Sequence, residues 1–321
     1  MDWLAAADEH GIVDLGVLYR GGLDVHDVRR MMGRGELTRL ARGWCSLGVP
    51  ATPEEQHRLA TRAMLRSHEG RAVASYHSAL LLLGVPTFGA DLSTVRLTRR
   101  SPGPPRTRRG MSLGRAVPPE LVVGETVHPA VAVVQVGTCS GSTAALVAAD
   151  GALHQQVTTR AELDEALDRM AKVPGVRSLR PVLQRADGRH ESPGETRLGD
   201  MLHLMGLDAT PQLKVSRAGF TAFADFALEE ERVVIEFDGL MKYGRCTDPV
   251  DFFGRRVLPG EVVAMEKVRE DTIRELGWEV VRVTWDDLRH PERVTARVRE
   301  AIARARRHRT PAQASGPLIP A

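Results

Sequence analysis

The sequence predicts a multidomain protein of mixed α/β and α+β class, and three observations support this. The chain has 321 residues, enough for two or three domains. Its first fifty residues run short helical pieces into a strand-like hairpin, a small α+β order. Residues 192–303 interleave helices with strands, the order of an α/β domain around a central mixed sheet. Hydrophobic residues make up 42% and aromatics only 4%, so the cores must be rich in Val, Leu and Ala.

The elements of residues 1–50 follow from caps and breakers. Asp2 to His10 reads as a first helix and Asp14 to Tyr19 as a second, with a turn at Gly21-Gly22. Asp24 is a side-chain acceptor placed to cap a third helix from Val25 to Met32. Gly33-Arg34-Gly35 breaks that helix, and Leu37 to Leu47 alternates like a hairpin. Helix, helix, turn, helix, hairpin is the order of a winged helix-turn-helix. In that arrangement Arg29, Arg30, Arg34, Arg39 and Arg42 line the recognition helix and wing, the distribution that phosphate contact requires. The competing reading is a solvated face of a small protein-contact domain, with Asp2, Asp8, Glu9 and Asp14 offsetting the basic side.

Residues 51–175 predict an α+β middle domain. Pro53 starts a helix to about Glu69, Ser75 caps another that ends at Gly84, and Val95 to Thr98 is a strand. Seven arginines and no acid lie between Arg96 and Arg115, interrupted by Pro102, Pro104 and Pro105. This is an exposed basic loop or hairpin. Its Arg106, Arg108 and Arg109 either follow a phosphate backbone or simply belong to a flexible segment. Thr143 to Leu153 and Arg160 to Ala171 read as further helices, and residues 176–191 as a basic helix and polar linker.

The last domain spans 192–305, followed by a basic, disordered tail over 306–321. Its order is helix (Pro193 to Met205), strands (Gln212 to Val215, Phe220 to Leu228, Val233 to Phe237), a loop, helix (Val262 to Leu276), strand (Glu279 to Thr284) and helix (Pro291 to Arg304).

Composition excludes several classes. Cys45, Cys139 and Cys246 are too far apart for a disulfide framework or a zinc ribbon. No apolar run reaches the ~18 residues of a membrane span. The acidic start lacks the basic and apolar regions of a signal peptide, so a soluble cytoplasmic protein without a membrane partner is expected. The net charge of +3 does not by itself establish a polyanionic partner.

The chemistry concentrates between Asp225 and Gly239. Val233-Val-Ile-Glu-Phe reads as a buried strand, and an acid at its end is costly unless something binds it. A divalent metal is the usual partner for several such acids. Asp225 and Glu236 lie on adjacent strand segments, and pairing brings them to one end of the sheet. Glu195 reaches the same end from the preceding helix, or else acts with Ser192 as a capping box.

These residues resemble the PD-(D/E)XK nuclease superfamily, in particular its branch related to very-short-patch mismatch repair endonucleases. The resemblance covers roughly residues 190–300. It rests on Ser192 and Glu195, Asp225, Glu236 with Asp238-Gly239, and Gly277-Trp278-Glu-Val280-Val-Arg282, in that order. It implies a restriction-endonuclease-like fold and a site in which Glu195, Asp225 and Glu236 hold Mg²⁺ (or Mn²⁺). Two positions depart from the pattern: Asp238 stands where the superfamily has lysine, and Lys242 where the branch has histidine. Lys242 is the first candidate for the displaced catalytic lysine and Lys267 the second. Asp238, Glu266 and Arg269 are candidates for supporting the site or meeting phosphate. Pairing along the helix surface, such as Glu270 with Arg274, is the alternative for the charged cluster around Lys267.

The N-terminal part is similar to AbiEi-type antitoxins of bacterial abortive-infection systems. The similarity is carried by His10-Gly-Ile-Val, by Leu40-Ala-Arg-Gly-Trp-Cys-Ser-Leu-Gly and by Ala74-Ser-Tyr-His-Ser-Ala-Leu-Leu-Leu-Leu-Gly. It implies DNA as a partner and a cognate toxin protein as another. The combined expectation is a metal-dependent DNA endonuclease-like protein in defence or repair. Its alternative is an antitoxin-like repressor with an inactive nuclease-fold domain, and a protein-interaction scaffold is a third reading.

Overall fold

Residues 6–239 and 259–308 are described by the computed structural model, which divides the chain into two units between Gly188 and Arg189. Among the described residues, no helix is long and apolar enough to cross a membrane.

The first unit begins with β1 (Ile12–Asp14), α1 (Leu15–Arg20), α2 (Val25–Gly33), β2 (Leu37–Ala41) and β3 (Trp44–Leu47). The strands form an antiparallel sheet of order β1-β3-β2. Asp14 ends β1 and caps α1, its Oδ1 accepting the Gly16 N–H at 2.8 Å. Asp24 and Asp27 form a reciprocal capping box at the start of α2. Gly43, at φ +86°, supplies the left-handed residue that the β2–β3 turn needs. Val13, Leu18, Val28, Leu37 and Cys45 form the small core beneath. The helix expected over Asp2 to His10 is not formed over residues 6–10, apart from a single 3₁₀-type residue at Ala6. Asp8 accepts the N–H groups of His10 and Ile12, each at 2.8 Å, and Ala7 bridges Val13, so local side-chain bonding replaces the helix.

The unit continues through α3 (Pro53–Ser67), β4 (Ala72–Ala74), α4 (Tyr76–Leu82), β5 (Val95–Arg99), β6 (Arg106–Arg108), β7 (Met111–Gly114), β8 (Val122–Val123) and β9 (Thr126–Val127). Its last helices are α5 (Pro129–Ser140), α6 (Ser142–His154), α7 (Arg160–Arg169) and α8 (Val176–Leu183). The six strands have the order β6-β7-β5-β4-β9-β8, which makes the arginine-bearing β6 an edge. The middle domain is not a separate body from the N-terminal sheet. Trp44 Nε1 donates to Ser67 Oγ at 2.7 Å, Arg66 lies over the Trp44 ring, and Arg66 also pairs with Asp8. The expected linker is likewise absorbed: Val176, Leu179 and Leu183 of α8 are buried in the same core as α5 and α6. The Asp187 N–H then binds Asp150 Oδ1 at 2.8 Å, so the chain is held almost to the division point.

The second unit comprises α9 (Pro193–Leu204), β10 (Thr210–Arg217), β11 (Phe220–Leu228), β12 (Val233–Asp238), α10 (Pro259–Glu275), β13 (Glu279–Thr284) and α11 (Pro291–His308). Its sheet order is β10-β11-β12-β13, with two antiparallel pairings and then a parallel one. The parallel return from β12 to β13 passes through α10, as a crossover must. One sheet face buries Phe226, Val233, Ile235 and Val283 against Leu198 of α9 and Val294 and Val298 of α11. The other buries Ala224, Val234 and Val280 with Ile273 of α10. Ala301 and Ala305 extend the buried stripe of α11, so the helix continues to His308 and takes in the first three residues of the expected tail. Residues 309–321 of that tail lie outside the described residues.

Candidate functional site

The C-terminal acids sit where β11 and β12 part. Their ladder pairs only Phe226–Leu228 with Val233–Ile235, whereas β12 stays paired with β13 as far as Asp238 and Thr284. Just beyond the last β11–β12 pair, Asp225 Oδ2 accepts the Phe237 N–H at 2.8 Å. A carboxylate thus takes the place of a strand carbonyl at the fork. The alternation of β11 also slips there. Ala222 and Ala224 join the core on the α10 side, while Phe226 and Leu228 join the opposite one. Across on β10, Gln212 adopts φ +53° and makes no ladder pair between Pro211 and Leu213. Such irregularities re-aim a side chain, and they gather at functional sites.

Glu236 is only 6% exposed and belongs to the sheet face covered by α10. Arg269 Nη1 lies 2.8 Å from its Oε1, while Arg269 Nη2 donates to the Phe223 carbonyl at 2.6 Å. The Glu236 Oε1 contact is nonetheless not an aligned hydrogen bond, so it acts through charge rather than direction. Arg282 stands in register with Glu236 on β13. Its guanidinium approaches Glu236 Oε2 at 3.9 Å and Asp238 Oδ2 at 3.7 Å, and it binds Glu270 at 3.0 Å. Burial would raise the Glu270 carboxyl, but hydrogen bonds from Arg274 and the Arg282 charge outweigh it and hold the group below the usual range.

Glu195, also buried, is used differently. Its Oε1 accepts from Ser192 Oγ at 2.8 Å, and its Oε2 accepts from the Glu191 N–H at 2.9 Å and Gln212 Nε2 at 3.2 Å. Ser192 Oγ in turn accepts the Glu195 N–H, so the N-cap half of the expected capping box is made, while the Glu195 carboxylate takes the Glu191 N–H in place of the Ser192 N–H. Through Gln212 the carboxylate still touches the irregular β10 residue between the Pro211–Phe226 and Leu213–Ala224 pairs. The N-terminus of α9 sits directly on the site: a Cβ on Gly194 would come within 2.0 Å of Phe237 Cε1.

Lys267 is exposed on α10, away from the Arg269 side of the helix. Lys242 and the side chain of Glu266 lie outside the described residues. Among the described residues, no group of three or more His, Cys, Asp or Glu side chains gathers closely enough to hold a metal ion. Arg282 and Gln212 had no assigned role from sequence. Arg282 occurs in the Gly277-Trp278-Glu-Val-Val-Arg282 pattern, but only the parallel register reveals its partner.

The N-terminal arginines divide into structural and available groups. Arg96 stacks on Tyr76, Arg99 donates to the Pro104 carbonyl at 3.1 Å, and Arg100 binds the Gly124 carbonyl. Arg30 pairs with Asp27, and Arg34 lies 3.8 Å from Glu36. Among the described residues, Arg29, Arg39, Arg42, Arg106, Arg108 and Arg109 are exposed and their side chains have no hydrogen-bond or ion-pair partner.

No protein-family model matches the chain. It is similar to uncharacterized proteins of two Mycobacterium tuberculosis strains, CDC 1551 / Oshkosh and ATCC 25618 / H37Rv. Each is 28% identical over 274 residues, covering 83% of this chain and 94% of the relative.

Proposed function

We propose that this chain is a DNA-binding, metal-dependent endonuclease, with the N-terminal unit holding DNA and the C-terminal unit cutting it. The observation that carries the reading is the buried Glu236 at the strand fork beside Asp225, with Arg269 2.8 Å away. A buried carboxylate of this kind is expensive to maintain and is retained where it serves chemistry.

By donor chemistry Asp225 and Glu236 suit a hard divalent cation such as Mg²⁺ or Mn²⁺, as a pair of carboxylates that leaves the remaining positions to water and phosphate. Both offer carboxylate oxygens, and among the described residues Glu236 Oε1 accepts no aligned hydrogen bond. Glu195 fits less well, because both its oxygens already accept hydrogen bonds, and its part is to position α9 and Gln212. When bound, the ion supplies an acidified water and neutralises charge developing on phosphate. Arg269 and Arg282 offset the acids in the resting site and provide further positive charge toward a phosphate. With Asp238 at the usual lysine position, Arg269 rather than Lys267 takes the cationic role.

The strand–helix–helix–hairpin order of the N-terminal elements supports a winged helix whose Arg29, Arg39 and Arg42 meet the DNA backbone. Arg106, Arg108 and Arg109 extend that basic surface. A defence or repair setting and a cognate toxin partner accompany this reading. The test is incubation of the full chain with supercoiled, linear, single-stranded and mismatched DNA in Mg²⁺, Mn²⁺ or EDTA, beside Glu236→Gln.

One observation favours a second reading, an antitoxin-like repressor without catalysis. Two guanidiniums already neutralise Glu236, and an acid replaces the lysine. That protein would retard DNA in a salt-sensitive manner, equally with and without the Glu236→Gln change, and cut nothing.

A further inference from the structure

A cavity of about 420 Å³ opens in the first unit between the β2–β3 hairpin, α3, the segment leading into β5 and the β6–β7 turn. Its walls are part polar and part apolar, the apolar part including Ala60 and Met64 from one stripe of α3 together with Leu92. His57 completes the wall without offering a donor, since Nδ1 lies 2.9 Å from the Leu92 carbonyl and Nε2 lies 2.8 Å from Ser78 Oγ. Arg42 and Arg109, sixty-seven positions apart in sequence, both line this one cavity, and no acid among the described residues lines it. Neither guanidinium has a hydrogen-bond or ion-pair partner among the described residues.

Two unpaired guanidiniums at one opening call for an anion with several oxygens, and phosphate suits their planar donor geometry. The volume exceeds what a bare phosphate needs and lies in the range of small-molecule sites. An apolar wall of this kind accepts a flat, largely apolar body. We propose that the cavity is a nucleotide site, in which Arg42 and Arg109 bind the phosphate and the wall formed by Ala60, Met64 and Leu92 receives the base. The nucleotide is either free or part of a DNA strand. The site stands on the first unit alone and is independent of any chemistry at Glu236.

The test measures binding by fluorescence anisotropy with the full chain in EDTA, so that no cleavage intervenes. The probes are N-methylanthraniloyl-labelled ADP and a short fluorescein-labelled single strand. Arg42→Gln and Arg109→Gln should each weaken binding of the cognate probe about tenfold, the worth of one charge-assisted contact. Ala41→Trp, which fills the opening without removing charge, should weaken it as strongly, with the melting temperature of each variant confirming the fold. Loss of ADP binding assigns the site to a free nucleotide, and loss confined to the single strand assigns it to a nucleotide within DNA. Binding weakened by the arginine changes but untouched by Ala41→Trp overturns the proposal, because the arginines would then meet phosphate only on the open surface. Binding of both probes indifferent to all three changes overturns it as well.

Discussion

Replacing Arg269 with Met removes the nearest positive charge from a buried carboxylate, and its cost follows from the geometry. At 2.8 Å, the Arg269–Glu236 attraction is about 6 kcal/mol at an effective dielectric of ~20 and about 1.5 kcal/mol in bulk water. The arginine side chain is 30% exposed, so the lower half of that range applies. Arg282, 3.9 Å away, continues to shield part of the charge. A coupling of about 1–3 kcal/mol between the two residues results. The assay is a double-mutant cycle by urea unfolding with Arg269→Met, Glu236→Gln and the pair. The hydrogen bond from Arg269 to the Phe223 carbonyl is lost in both backgrounds and cancels in the cycle. Arg269→Met should therefore be strongly destabilising in the native background and much less so beside Glu236→Gln. A coupling within about 0.5 kcal/mol of zero would refute the view that Arg269 balances a buried charge.

Two further perturbations act at the α9 contact and in the first unit. Gly194→Ala places a methyl 2.0 Å from the Phe237 ring, which is itself held edge-on against Trp285 at 5.0 Å. Overpacking of this kind should cost at least about 1–3 kcal/mol and lower the melting temperature. His77 is pushed down to about 4 by burial first and by the neighbouring His57 second, against the hydrogen bond to the Thr94 carbonyl. Its folded pKa lies below the unfolded value of ~6.5, so its contribution is complete above ~6.5 and is lost as the pH falls toward about 4. Stability measured across that window should drop by on the order of 3 kcal/mol, and His77→Gln should flatten the slope; an unchanged slope in the variant would remove His77 as its source.

Local pattern was enough to find most elements of the second unit. The runs at Phe220–Leu228 and Glu279–Thr284 are strands with those bounds, and Ser192 caps α9 as its spacing implies. What local pattern does not carry is pairing. Nothing in residues 225–236 shows that β11 and β12 part after three pairs, or that Arg282 faces Glu236 across a parallel ladder. Both depend on the crossover through α10 and on the kink at Gln212. Helix α5 shows no polar face, because Ala130 through Gly137 are all buried, so the amphipathic signal that marks a surface helix in sequence is absent from it. Conversely, the start of the chain reads as helical by composition, yet Asp8 diverts the backbone by bonding two N–H groups itself. The basic run from Arg96 was visible, but only the fold separates Arg96, Arg99 and Arg100, which hold the structure together, from Arg106, Arg108 and Arg109, which remain available.

The most direct test of the proposed endonuclease is cleavage by the purified full chain of supercoiled, linear, single-stranded and mismatched DNA in Mg²⁺ or Mn²⁺, with EDTA and Glu236→Gln as controls. The account predicts metal-dependent cutting of at least one substrate, abolished by EDTA and by Glu236→Gln while that variant still binds DNA. Every substrate left intact with either metal, or cutting that survives Glu236→Gln, would contradict it.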